Sequence, residues 1–391
     1  MYVFLIGNGY DLYHGFPTSY KNFLNVISFL VDSFEDTMKT VGDVLGNEKL
    51  CATDHGIARS YHLHKEHYDM TELSHEQIAE LILAARHNCW FRYLSEMNGG
   101  ESGWIDFEKE IAQAIRAFDD LPEVLLNALA YDSRAFSPEV LQVLEAFGIF
   151  VVQRSLVSVD ERYFSSRIPK RKAKSLDLKR VEETMHASLL ELAKMLETYL
   201  ECFVEQPLNK ILADGIYPVS SVLDGATNVV TFNYTHTYEK LHLRRNFADN
   251  VMHIHGSVGQ KIVLGVDPNE YDEAGSLDTT FLRFKKYYQR VFYRTDTAYI
   301  SWKRRLLPQN RAVNEVIVRV LGHSLDVTDK DIITAVFDMA TRVEVFYHDE
   351  DAVSNYITNL VNIYGKTGFD ELRESKNVMF TEYPELRWEK K

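Results

Sequence analysis

The sequence predicts an α/β protein: a doubly wound parallel sheet of about six strands, with a large helical insertion after the first strand–helix unit. Three observations carry this. Tyr2–Ile6 is a short, wholly apolar run that ends at Gly7-Asn8-Gly9, the pattern of a strand buried on both faces that turns tightly into a helix. Beyond residue 224, short apolar or β-branched runs alternate with helical periodicity, as parallel strands joined by crossover helices require. Between these two regions the apolar residues repeat at helical spacing over a long stretch.

Taken in order, the first strand leads into a helix marked by Phe23, Ile27, Leu30, Val31 and Phe34, with Thr18 or Ser19 as its cap. Residues 39–76 are polar and interrupted and are expected to form a loop or lid. Helices are expected over 76–97, 106–117 and 138–150. The basic stretch 167–180 lacks apolar periodicity and reads as an exposed linker. Val181, Met185, Leu189, Leu192, Leu196, Leu200 and Phe203 then mark a long helix that faces either the core or a second copy of the chain. Strands are expected at 228–232, 251–254, 316–321, 343–347 and 378–380, with 261–264 as an optional short edge. Helices at 329–340 and 351–364 separate the last three. The expected division is a Rossmann-like nucleotide-binding domain from 1–38 and 224–391, and a mainly helical insertion at 39–223.

Composition narrows the class. A formal net charge of −14 argues against a general coating of nucleic acid, though it leaves a local basic site open. No apolar run reaches the roughly 20 residues that span a bilayer. The amino terminus reads directly as a core strand, so no secretory signal is expected. Cys51, Cys89 and Cys202 lie far apart and form no C-x-x-C pair, which speaks against a disulfide framework or a zinc ribbon. A reducing, cytoplasmic setting is expected.

In parallel sheets ligands sit beyond the carboxyl ends of the strands, so the polar residues there are the candidates. They are Asn8 and Asp11; Thr231, Asn233 and Thr235; His253 and His255; and Gly322, His323 and Ser324. The Gly7-Asn8-Gly9 turn can aim backbone N–H groups and a helix dipole at an anion, most naturally a nucleotide phosphate. The G-x-G-x-x-G fingerprint is not completed, since Leu12 holds the third glycine's place. Plainer roles stand beside these: Asp11 as a helix cap, His255 as a turn residue, Asn233 and Thr235 closing a strand end, Ser324 in a loop. Two other clusters stand out. His62, His64 and His67 offer imidazoles in what reads as a solvated loop. Segment 283–311 interleaves Lys285, Lys286, Arg290, Arg294, Lys303, Arg304 and Arg305 with aromatics, which suits either single-stranded nucleic acid or an amphipathic helix with buried rings.

The opening GNGYDLYHGFPTSY resembles the first motif of the phage abortive infection AbiH family. TFNYTHTYEKL, HIHGSV, LGVD and LGHSLDVTDKDI look like its later motifs, and WIDFEKEI like its internal Trp-x-Asp-Phe-Glu signature. A more distant resemblance is to the sirtuin/DHS-like NAD-binding fold. Its first glycine motif is similar to Gly7, Gly9, Gly15 and Pro17, its Q-N-I-D to Phe232-Asn233-Tyr234-Thr235, its H-G to His255-Gly256, and its G-T-S-L to Gly322-His323-Ser324-Leu325. Together these resemblances imply an anti-phage effector that binds NAD and hydrolyses it to nicotinamide and ADP-ribose. Asn233 would place the ribose and the attacking water, and His255 would be the general base. Gly7, Asn8, Gly9, Asp11, Thr231, Tyr234, Gly322 and Ser324 would line the cofactor, and no metal is expected. Departures accompany the match: no four-cysteine zinc module is present, Thr235 stands where sirtuins carry aspartate, and Tyr20 where they carry arginine. Two alternatives stay open, a non-catalytic nucleotide sensor and a nucleic-acid-acting effector that uses segment 283–311. Self-association through the long helix is a further expectation.

Overall fold

The computed structural model describes residues 1–98, 107–119, 130–153, 156–163, 177–219, 225–242, 250–266, 281–309 and 315–390. Its central feature is a six-stranded sheet made of β1 (Tyr2–Ile6), β2 (Asn228–Thr231), β3 (Val251–His253), β4 (Ile317–Leu321), β5 (Arg342–Tyr347) and β6 (Val378–Glu382). The spatial order is β6-β5-β4-β1-β2-β3 and every pairing is parallel. The chain thus builds outward from β1 on one side, then crosses back and builds outward on the other.

The helices used below are α1 (Asn8–Tyr13), α2 (Tyr20–Ser33), α3 (His55–Met70), α4 (Phe107–Asp119), α5 (Leu178–Leu200), α6 (Thr237–His242), α7 (Lys286–Tyr293), α8 (Thr297–Gln309), α9 (Lys330–Met339) and α10 (Glu350–Lys376). Because side chains alternate along a strand, β1 feeds two cores. Val3 and Leu5 join Val230, Val318, Val320 and Val345 beneath α9 and α10, where Ile333, Phe337 and Leu360 close the layer. Phe4 and Ile6 point the other way, against Tyr10 of α1 and Tyr238 of α6. A third core lies in the helical layer, where Phe23 and Ile27 of α2 meet Tyr68, Trp90, Phe107 and Tyr199. The Tyr199 hydroxyl donates to the Pro17 carbonyl at 2.6 Å, fastening α5 to the chain leaving α1.

The parallel sheet and its strands stand where the sequence places them, within a residue or two at each end. Several other expectations are corrected. The stretch 39–76 is helical rather than a loop or lid: Val41–Leu45, Glu48–Thr53 and α3 follow one another. Thr40, Asn47 and Asp54 cap them in turn, so residues that read as polar interruptions are helix starts. His64 and His67 are accordingly buried within α3 rather than in a solvated loop, and His64 Nε2 lies 2.9 Å from the His14 carbonyl. The helical pattern over 76–97 breaks at Asn88, whose side chain accepts from the Phe91 amide and caps a second helix. The helix expected over 138–150 ends at Ala146, and Phe150–Gln153 instead joins Ala130–Asp132 and Leu156–Val159 in a small antiparallel sheet. Residues 261–264 form no strand, although the Val263 amide donates to the His255 carbonyl. Ser19, not Thr18, caps α2. The apolar stripe of α5 is buried in the chain's own core. Most of the basic linker at 167–180 lies outside the described residues, as do Trp104, Asp106 and Asp267. No helix among the described residues is long and apolar enough to cross a membrane.

Candidate functional site

The site forms where β1, β2, β3 and β4 end. At its floor, the tips of β1 and β4 lock backbone to backbone. The Gly7 amide donates to the Leu321 carbonyl at 3.1 Å and the Gly9 amide to the Gly322 carbonyl at 2.8 Å. Gly322 adopts φ +67°, and a Cβ there would fall 2.1 Å from the Tyr10 nitrogen. The glycines are therefore needed for close approach of two strand tips, and the Gly7 and Gly9 donors are spent within the protein. Asn8 begins α1 and is half-buried.

Asp11, on α1, is 1% exposed and does not cap the helix. Its Oδ2 accepts from the Thr235 hydroxyl at 2.5 Å, while its Oδ1 has no hydrogen-bond partner among the described residues. Burial pushes its carboxyl up to about 7, against the opposing pull of the Thr235, Thr237 and Asn233 side chains.

After β2 the chain tightens on itself. The Thr231 hydroxyl accepts from the Asn233 amide at 3.1 Å, which bends the strand end and turns the Asn233 side chain inward. Asn233 is 7% exposed, and its Oδ1 has no partner among the described residues. The Tyr234 hydroxyl donates to the Val263 carbonyl at 2.9 Å, and burial pushes it up to about 12. Phe232 places its ring between His255 and His323, with centroids at 5.4 and 4.1 Å.

His255 is the best organised group. Its Nε2 lies 3.1 Å from Asp329 Oδ1, whereas Nδ1 is buried without a partner among the described residues. The carboxylate thereby favours the Nε2–H tautomer and leaves Nδ1 as a bare acceptor. Burial, then the charge of Lys286, lowers this imidazole to about 4, so it is neutral at physiological pH. Asp329, just ahead of α9, is the node of the site: Lys286 Nζ lies 3.2 Å from its Oδ1 and His323 Nε2 3.6 Å from its Oδ2. Burial works to raise the Asp329 carboxyl, but Lys286 and the two histidines hold it well below the usual carboxylate range. Lys286 also meets Glu108 Oε1 of α4 at 2.6 Å, so the helical layer reaches into the site.

The structure thus brings together Asp11, Thr231, Asn233, Tyr234 and His255. Ser324 is exposed, and its carbonyl accepts from the Asn359 side chain on α10. In segment 283–311, Lys285, Lys286 and Arg290 are buried, as are Phe284 and Trp302. Lys286 and Arg290 serve Asp329 and Asp331 rather than an outer surface. Asp329, Lys286 and Glu108 were missed as site residues, although each lies within a motif or cluster singled out in the sequence. Their signal was charge, at Lys286 and Glu108 in amphipathic helices and at Asp329 in the turn before α9, which reads as solvated until a partner is known.

The family model described as Bacteriophage abortive infection AbiH matches residues 3–348. No curated protein matches the chain. No solved structure matches it either.

Proposed function

This chain belongs to the bacteriophage abortive infection AbiH family, and from that premise we propose that it is an anti-phage effector whose strand-end site binds NAD and cleaves it between nicotinamide and ribose. The observation that supports this most is His255, held by Asp329 at one ring nitrogen and bare at the other. An imidazole so aligned accepts a proton from an attacking water, by the logic of a base oriented by a carboxylate. Three more buried polar atoms have no partners among the described residues, in the segments that follow β1, β2 and β3: Asp11 Oδ1, Asn233 Oδ1 and Ser257 Oγ. Buried polar groups left unsatisfied are costly, and a polar ligand would satisfy them.

The chemistry follows from these positions. Water adds to the ribose carbon as nicotinamide leaves, and His255 Nδ1 takes the water's proton. Asn233 orients the water and a ribose hydroxyl without adding charge. Asp11 faces the positive charge that develops on the ribose. The strand order 3-2-1-4-5-6 is the one in which doubly wound sheets take dinucleotides at their carboxyl ends. Gly7, Gly9 and Gly322 shape the wall of the site in this scheme, and Ser324 stands outside it.

The test is to incubate purified protein with NAD and follow free nicotinamide by chromatography. Release is expected, and His255→Ala or Asn233→Ala should each lower it about 100-fold or more while the protein stays folded. A rise in melting temperature with NAD or ADP-ribose, but no release, would make the protein a sensor. Breakdown of RNA or DNA that is lost in Arg304→Ala would transfer the activity to segment 283–311. NAD that is neither bound nor consumed overturns the proposal.

A further inference from the structure

Around the end of β3 and the start of α6, His236, Glu239 and His253 each offer one ligand atom, and these atoms all lie within 4.8 Å of one another. We propose that these three side chains bind a divalent transition-metal ion of the zinc class, independently of the nucleotide chemistry.

Each histidine is presented as metal-bound histidines are, with one ring nitrogen tied to a fixed acceptor and the other left over. His253 Nδ1 lies 2.9 Å from the Asn233 carbonyl, so it carries the proton and Nε2 is the coordinating atom. His236 Nδ1 lies 3.1 Å from Glu205 Oε1, which fixes the ring beside the cluster. Glu205 is itself anchored: it accepts from the His236 amide at 2.6 Å and pairs with Lys240. It stands on a single π-helical turn, Glu201–Glu205, that follows α5 and breaks the α-helical spacing at that point.

Between the remaining atoms a cation is required. His253 Nε2 and Glu239 Oε1 face each other at 2.5 Å; with Nδ1–H committed elsewhere a second proton holds that contact, and a metal ion would replace the proton as the two atoms part to about 3 Å. The second oxygen of Glu239, Oε2, is buried without a partner among the described residues, which a proton on His253 does not remedy. A metal ion bound by the carboxylate does. Two imidazoles and one carboxylate suit zinc and its neighbours in the first transition row, and they leave an open coordination position. The His236 side chain is 32% exposed, so an ion can reach the cluster from solvent. The ligands come from the end of β3 and from the start of α6 with the residue before it, elements that the sheet and the Asp11–Thr235 bond already hold in place.

The test uses the full chain, stripped with a chelator and titrated with Zn²⁺ by calorimetry and with Co²⁺ by visible absorption. One ion per chain is expected, with the intense ligand-field bands of a low-coordinate Co²⁺ site. Glu239→Gln and His253→Gln should each weaken Zn²⁺ binding at least about 100-fold and remove those bands. His62→Gln, at an exposed position on α3, should change neither. Circular dichroism on the metal-free variants separates lost binding from lost folding. A stripped wild-type chain that takes up no stoichiometric ion overturns the proposal, as does binding that survives Glu239→Gln and His253→Gln together.

Discussion

Lys286 and Glu108 meet at 2.6 Å across the boundary between the sheet's own helices and the helical layer, with the Lys286 side chain only 3% exposed. The same ammonium reaches Asp329 at 3.2 Å, so one buried cation joins α4 to the residue that holds His255. Burial works against the charge on Lys286, but the two carboxylates hold its pKa above the ordinary lysine value. The site is thereby built from both halves of the molecule.

Removing that cation leaves two carboxylates facing each other without compensation. Lys286→Met should destabilise the fold by about 3–5 kcal/mol, read as a lower denaturant midpoint. Glu108→Gln keeps an acceptor for Lys286 and should cost less than half as much. Equal losses in the two variants would show that Asp329 contributes little to the pairing.

Gly322 tests the floor of the site. Its φ of +67° and the 2.1 Å approach to the Tyr10 nitrogen leave no room for a methyl group. Gly322→Ala should cost about 2 kcal/mol or more, since strain and backbone clash add. The variant should melt well below wild type. A melting temperature within a degree or two of wild type would mean that the tips of β1 and β4 are not held as described.

Three buried histidines set a pH window. Burial lowers His14 to about 3 and His64 and His255 to about 4, all below the ordinary value near 6.5. The unfolded chain therefore takes up protons first. Stability from these residues is intact above pH 6.5 and is lost as the pH falls from 6.5 toward 4, by roughly 2 kcal/mol per histidine at pH 5. Urea midpoints at pH 7 and pH 5 read this directly, and His64→Gln should flatten the difference.

Asp11 runs the opposite way. Its folded pKa is raised to about 7, so the stability tied to its neutral form is present below the unfolded value of 3.8 and is lost as the pH rises through 7. Asp11→Asn should thus be more stable than wild type at pH 8, less so at pH 5, and close to it only below pH 3.8. If NAD cleavage needs the ionised carboxylate, the wild-type rate should fall below pH 7 while His255 stays neutral throughout that range. A rate limb near 7 that persists in Asp11→Asn would belong to another group.

The six strands could be read from sequence because each is a short apolar run that needs no knowledge of its partners. His255 and Asn233 were legible for a related reason: a polar residue just past a buried strand has few places to go in a parallel sheet. What could not be read is pairing at a distance. Lys286 sits in a run of cations and aromatics, Asp329 among loop-forming residues, and Glu108 in an amphipathic helix. Each looks solvated until the fold brings it to the others. The helices between 39 and 76 were hidden by their own caps, because Thr40, Asn47 and Asp54 look the same at a helix start as in a loop.

The interlocked glycines at the tips of β1 and β4 also limit how this end of the sheet can open. Two main chains in such contact leave no gap to widen, and prising them apart would unzip the middle of the sheet. Any opening there therefore has to come from side chains, not from a hinge between the two tips.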